Sequence, residues 1–182
     1  MPTLQGEKVM LRAIEKKDIQ LALKWFNDPE VIQFLQVYLP ITELAEEKWF
    51  ERVSLSEHDI VFSIEIKAGE NESKPIGNCG LHQINWKDRV STFGIAIGEK
   101  DFWGGGYGTE AAKLLMEYAF CQLNLRRISS SVYDFNERSL AMHKKLGFEI
   151  EGRRRQAIFK NNRYADEIVL GLLKEEWGRA EE

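Results

Sequence analysis

One stretch restricts the architecture of this chain more than any other: residues 93–124, FGIAIGEKDFWGGGYGTEAAKLLMEYAFCQLN. A short apolar run, Phe93 to Ile97, leads into glycines at Gly104, Gly105, Gly106 and Gly108, and a long apolar-periodic segment begins at Thr109 and Glu110. Strand, glycine turn and helix in that order make an anion cradle. Glycines let the backbone approach a ligand closely and take positive φ, so several N–H groups converge. The helix adds the positive end of its dipole. The guest that suits such a cradle is a phosphate or pyrophosphate. The spacing excludes two other loops. A dinucleotide fingerprint, Gly-x-Gly-x-x-Gly, counted from Gly104 puts its last position on Thr109, and a nucleotide-triphosphate loop needs a Gly-Lys pair that the chain lacks. What remains is Gly106-x-Gly108 at a strand-to-helix switch. On this stretch alone, a helix preceded by a flexible turn with no ligand stands beside the cradle reading.

A length of 182 residues suits one domain, 1–182, with a substantial core. Hydrophobic and charged fractions of 43% and 30% are those of an ordinary soluble protein. A net charge of −4 argues against a nucleic-acid binder that works through bulk charge, so no nucleic-acid partner is expected. Cys79 and Cys121 lie far apart without ligand-like neighbours, so no metal site is expected, and both are read as buried free thiols. No apolar run approaches the ~18 residues of a membrane span, so the expected location is the cytoplasm with no membrane partner.

In chain order, 8–14 reads as a strand, and a helix with a broad apolar face follows from Asp18. Asn27-Asp28-Pro29 breaks it, and Pro29 suits the first turn of a second helix, EVIQFLQ. Thr42 caps a third, with Ala45, Trp49 and Val53 on its stripe. Residues 60–67 alternate as a strand, AGENESKP is a hairpin loop, and 75–85 is a strand interrupted by Gly77 and Gly80. After a turn around Trp86-Lys87-Asp88, 90–97 is the strand feeding the cradle. Residues 127–133 are a strand, Asn136 caps a helix ending before Gly147, and 148–159 and 164–173 pair across Asn161-Asn162. The expectation is an α/β (α+β) domain with a mixed sheet of about seven strands.

With these elements in view, the chain resembles the GNAT superfamily of N-acetyltransferases. FWGGGYGTEA, NERSLAMHKKLGFEIEG, the YADEIVLGLLKEEW ending and the opening VMLRAIEKKD carry the resemblance, which covers essentially the whole chain. The ending and the opening resemble the branch containing ribosomal-protein alanine acetyltransferases and polyamine or antibiotic acetyltransferases. The resemblance implies a mostly antiparallel sheet with a splayed central pair and helices on both faces. It also implies acetyl-CoA as co-substrate, with the coenzyme A pyrophosphate held by the backbone of Gly104, Gly105, Gly106, Gly108 and Thr109. Trp103 stands where the family signature has Gln or Arg, and either contacts the cofactor or packs under the loop. The strand at Ile95 to Ile97 would splay from Ser129 to Ser131, and the pantetheine arm would pair with its backbone as an added strand does. Asn136 and Ser139 match the second motif's polar positions, where they touch or line the pantetheine channel; both also suit a helix start. Lys145 is placed to reach coenzyme phosphates, Lys144 on a solvated face. Homodimers are common in the family.

The implied reaction is direct attack of a primary amine on the acetyl thioester. The acceptor is a small molecule such as a polyamine or amino sugar, or a peptide N-terminus. An alkyl amine has a pKa near ~10 and an N-terminal amine near ~8, so a base or desolvation must help. The family's acid, a tyrosine, is replaced by His143, whose imidazolium would protonate the leaving thiolate; Tyr133 is the substitute. The glutamate base of some relatives falls on Thr92, which leaves His82 as first candidate, then Glu99 and Asp88. Asp28, Glu30, Glu43, Glu46 and Glu47 are candidates to line a cationic acceptor site. The rival reading is a module of this fold that holds coenzyme A without turnover.

Overall fold

The computed structural model describes residues 3–67 and 73–178. Its elements are β1 (Leu4–Gln5), β2 (Val9–Ala13), α1 (Ile19–Phe26), α2 (Pro29–Ile32), α3 (Glu43–Ser54), β3 (Ile60–Lys67), β4 (Ser73–Asn85) and β5 (Val90–Ile97), then α4 (Tyr107–Glu117), β6 (Arg127–Tyr133), α5 (Glu137–Lys145), β7 (Glu149–Lys160) and β8 (Arg163–Leu173). The strands form one eight-stranded sheet in the order β1-β2-β3-β4-β5-β6-β8-β7. Every neighbouring pair is antiparallel except β5 with β6. That parallel pair is joined only at Val90–Arg127, Ser91–Ile128 and Thr92–Ser129, so the two strands diverge beyond it. The expected mixed sheet with a splayed centre is therefore present, with the two-residue β1 as an eighth strand.

Helices cover both faces. On one, Ala111, Ala112, Leu115 and Met116 of α4 join Phe62, Ile64, Ile76 and Leu81 of the sheet in a single buried core. Truncating Leu115, which is fully buried, to alanine would cost about 2–5 kcal/mol. On the other, α1 and α3 cover Ser63, Gly77 and Asn78. The alternation expected for β3 is thus absent from its burial, because its polar side is covered too. There Glu65 is satisfied by the Arg12 guanidinium at 2.7 Å, which also holds Asp18. Gly98 lets the end of β5 pass under α1: a Cβ there would lie 2.1 Å from the ring of the buried Trp25.

Three expectations change in detail. The helix expected over EVIQFLQ stops at Ile32, because Phe34, Leu35 and Gln36 turn toward the central cleft. The cradle helix starts at Tyr107 and continues as a π-helical turn over Tyr118–Gln122, which rotates Ala119 and Phe120 into the core and leaves Cys121 exposed instead of buried. Most of the expected hairpin loop after β3, residues 68–72, lies outside the described residues. Among the described residues, no helix is long and apolar enough to cross a membrane.

Candidate active site

The divergence of β5 from β6 opens a cavity of about 660 Å³. Its β5 edge is bare backbone. Thr92, Gly94 and Ala96 pair with His82, Gly80 and Asn78 of β4, so the backbone groups of the alternate residues Phe93, Ile95 and Ile97 face the cleft. The Ile97 carbonyl accepts from Trp103 Nε1 at 2.7 Å, and Ser130 Oγ lies 3.3 Å from the Phe93 carbonyl. The N–H and C=O of Ile95 and the N–H of Ile97 lie beyond the last β5–β6 pair, Thr92–Ser129, and are turned to the cavity.

At the far end of β5 the chain turns through the glycine cluster into α4. Gly106 is the helix N-cap in the left-handed region, φ +86°, and Gly104 has φ +78°. Both need glycine for the conformation and not for space: a Cβ on Gly104 would meet nothing within 4 Å, and one on Gly106 would meet only Lys8 Nζ, at 3.6 Å. Tyr107, Gly108 and Thr109 open the helix, and their N–H groups precede the first intrahelical acceptor, since Glu110 N is the first to bond back, to Gly106 O at 3.0 Å. An empty concavity fronted by unpaired N–H groups and a helix N-terminus fits a pyrophosphate. Lys8, which nothing in the sequence singled out, donates from Nζ to Gly105 O at 3.2 Å and puts a positive charge on the rim.

The opposite wall comes from β6 and α5. Asn136 caps α5 by accepting from Ser139 N at 3.2 Å, and both residues line the cavity with Lys145. His143 lines it too, yet is only 2% exposed. Its Nδ1–H donates to Ser139 O at 2.8 Å, and its Nε2 lies 2.8 Å from Ser130 Oγ. Burial lowers its pKa more than the Ser139 carbonyl raises it, so the ring is neutral at pH 7 and Nε2 accepts from the Ser130 hydroxyl. The geometry therefore argues against an imidazolium at this position. Arg138, absent from the sequence-derived candidates, lies over the rings of Trp103 and Phe34, its guanidinium carbon 4.6 and 5.5 Å from their centroids.

His82 reaches the cavity from β4, beside Thr92. Its Nδ1 lies 3.2 Å from Asp59 Oδ1. Burial raises the Asp59 pKa, but hydrogen bonds from Ser56, His82 and the Gln83 N–H outweigh it and keep the carboxylate ionised. Tyr133, at the end of β6, also lines the cavity; burial and then the Glu167 charge raise its pKa, so the phenol keeps its proton. Glu99 is held outside the cavity by Trp25 Nε1 and Lys24, both at 2.8 Å, and Asp88 by Asn85 at 2.8 Å.

Val31, Phe34, Leu35 and Gln36 close the remaining side. The acidic residues expected there are elsewhere. Asp28 and Glu30 both bind Lys100, at 2.9 and 3.0 Å; Glu43 accepts from Gln20, Glu47 faces Lys16, and Glu46 is buried on the inner side of α3. Among the described residues, the arginine and lysine side chains lining the cavity are Arg138 and Lys145, and no carboxylate lines it.

The sequence matches the acetyltransferase (GNAT) domain over residues 8–149. The N-acetyltransferase p20 of Bacillus licheniformis, itself uncharacterised, is 30% identical over 181 residues, covering 97% of this chain and 99% of that protein. The spermidine N(1)-acetyltransferase of Escherichia coli (strain K12) is 28% identical over 174 residues, 94% of this chain and 89% of its own. Among solved structures, the spermidine N-acetyltransferase from Vibrio cholerae in complex with CoA and spermine has a TM-score of 0.85, with 94% of this chain and 98% of that chain covered. At 22% identity, that likeness is one of fold.

Proposed function

The chain belongs to the GNAT acetyltransferase family, and from that premise we propose how its own residues carry acetyl transfer from acetyl-CoA to a primary amine. The observation that supports this most is the unpaired edge of Ile95 and Ile97 running straight into the Gly104–Thr109 cradle. A pantetheine arm laid along that edge gains backbone hydrogen bonds as an added strand would, while the Tyr107, Gly108 and Thr109 N–H groups and Lys8 take the pyrophosphate. Acetyl-CoA supplies an activated acyl group; the remaining work falls to the chain.

In this reading the Ile95 N–H polarises the thioester carbonyl, a fixed dipole aimed where negative charge develops. His82, oriented by Asp59, takes a proton from the bound ammonium, and the neutral amine so formed attacks the thioester carbon. Tyr133 returns a proton to the leaving thiolate. Neutral His143 holds Ser130 and, with Asn136 and Ser139, fixes the wall against which the arm lies. Trp103 fastens the last carbonyl of β5, and Lys145 and Arg138 flank the phosphates at the mouth. The whole of 1–182 acts as one catalytic domain. Dependence on acetyl-CoA favours a cytoplasmic setting, and the exposed outer edge of β7 favours a homodimer.

The test is thiol release from acetyl-CoA across a panel of amines, with Tyr133→Phe and His143→Phe beside the wild type. Saturable acetylation of one amine class, lost with Tyr133→Phe and retained with His143→Phe, is the expected result. The reverse pattern would return the acid to His143. Coenzyme binding with no turnover on any amine would make the protein a coenzyme-A-binding module.

A further inference from the structure

The acceptor side of the cavity carries information that the cradle does not. Resting on the acetyltransferase reading above, we propose that the acceptor is a monoamine on an uncharged, apolar body, and that this site rejects polyamines. A polyamine brings at least one ammonium besides the reacting one. A protein can hold that second cation with a carboxylate or with the face of an aromatic ring. The first is absent from the cavity lining among the described residues, and the second is partly taken by the chain's own cations.

Among the described residues no carboxylate lines the cavity, and several acidic side chains around it are held by the chain's own cations. Lys100 bridges Asp28 and Glu30; Arg153 binds Asp134 and Asp166; Arg154 binds Glu167 at 2.8 Å; Asp59 is engaged by His82, Ser56 and Arg52. Two of the lining aromatic rings, Phe34 and Trp103, are covered as well. Arg138 lies over Phe34 and Trp103, and Arg163 lies 5.4 Å from the Phe135 centroid. A second ammonium on the acceptor side would therefore lose its hydration against Val31, Phe34 and Leu35 with no carboxylate to compensate it. An apolar body meets Val31, Phe34 and Leu35, which it can bury, while its single amine reaches His82.

The test is calorimetric titration of the coenzyme-A-loaded protein with 2-phenylethylamine and with spermidine, repeated on the free protein, with acetylation of both followed in parallel. The expected result is binding of 2-phenylethylamine at least about tenfold tighter than spermidine. In Gln36→Glu, a carboxylate added at an exposed position on the cavity wall should raise spermidine affinity and narrow that ratio. Equal or tighter spermidine binding in the wild type overturns the proposal, as does failure of the monoamine to bind. The binding order is independent of turnover: the expected order without acetyl transfer would uphold the acceptor class and sink the transferase reading.

Discussion

The two walls of the cleft recognise by different means. The β5 wall and its glycine cradle use main chain: the cavity-facing groups of Ile95 and Ile97 and the first N–H groups of α4. The wall built from β4, β6 and α5 uses side chains brought from distant points of the sequence: Asp59 with His82, Ser130 with His143, and Tyr133. A backbone site tolerates most side-chain changes but not a change of conformation. A side-chain site keeps its shape through substitution and loses its chemistry. Mutations on the two walls should therefore fail in different measurements.

The largest effect is expected on the side-chain wall. His82→Gln should lower kcat/KM about a hundredfold or more, as loss of a general base does, while coenzyme A affinity stays within about twofold. Asp59→Asn should cost less, about tenfold in kcat/KM, because it acts only by orienting the imidazole. An unchanged kcat/KM in Asp59→Asn would remove it from the chemistry. Gly106→Val should do the converse. Forcing a β-branched residue to φ +86° costs about 1–3 kcal/mol and fills the cradle, so coenzyme affinity should fall about ten- to a hundredfold by calorimetry. Wild-type affinity in that variant would show that the cradle holds no phosphate.

Trp103→Phe sits where the walls meet, and a smaller effect is expected. It removes one hydrogen bond, from Nε1 to the Ile97 carbonyl, worth about 0.5–1.5 kcal/mol. The loosened end of β5 should raise the KM for acetyl-CoA about three- to tenfold with kcat unchanged. A fall in kcat at constant KM would place Trp103 on the chemical side of the comparison.

The same division explains what could be read without a structure. Backbone recognition demands small residues at fixed spacing, so Gly106-x-Gly108 after an apolar run announced both the cradle and the strand–helix switch around which the sheet is built. Asn136 and Gly147 marked the ends of α5 because caps are local chemistry. Nothing local links Asp59 to His82, 23 positions apart, or Lys8 to Gly105, 97 apart; those pairs exist only once β3 lies against β4 and the first strands lie beside the α4 loop. Arg138 escaped notice because an arginine in a helix's first turn has no pattern until Trp103 and Phe34 arrive beneath it. The acidic residues misled for the opposite reason. Their composition suggested a cationic acceptor, but Lys100 cancels Asp28 and Glu30 from another loop.

His143 offers the smallest and most specific test. The resemblance assigns it a proton to give; burial between Phe93 and Phe148 says that it carries none to spare at pH 7. Its folded pKa lies below the ordinary value of about 6.5. Above pH ~6.5 the ring is neutral folded or unfolded and adds no pH dependence. As pH falls below that value the unfolded chain takes a proton that the folded one refuses, so stability drops by at most about 1.4 kcal/mol per pH unit until the folded pKa is reached. His143→Phe conserves the aromatic packing and leaves Ser130 Oγ with the Phe93 carbonyl as acceptor, so the variant should fold. Between pH 7 and pH 5 the wild type should lose about 2–4 °C more in Tm than His143→Phe for each kcal/mol of that difference. A wild type that instead gains on the variant as pH falls would mean that the folded state binds the proton at His143, and would restore the acid to the α5 wall.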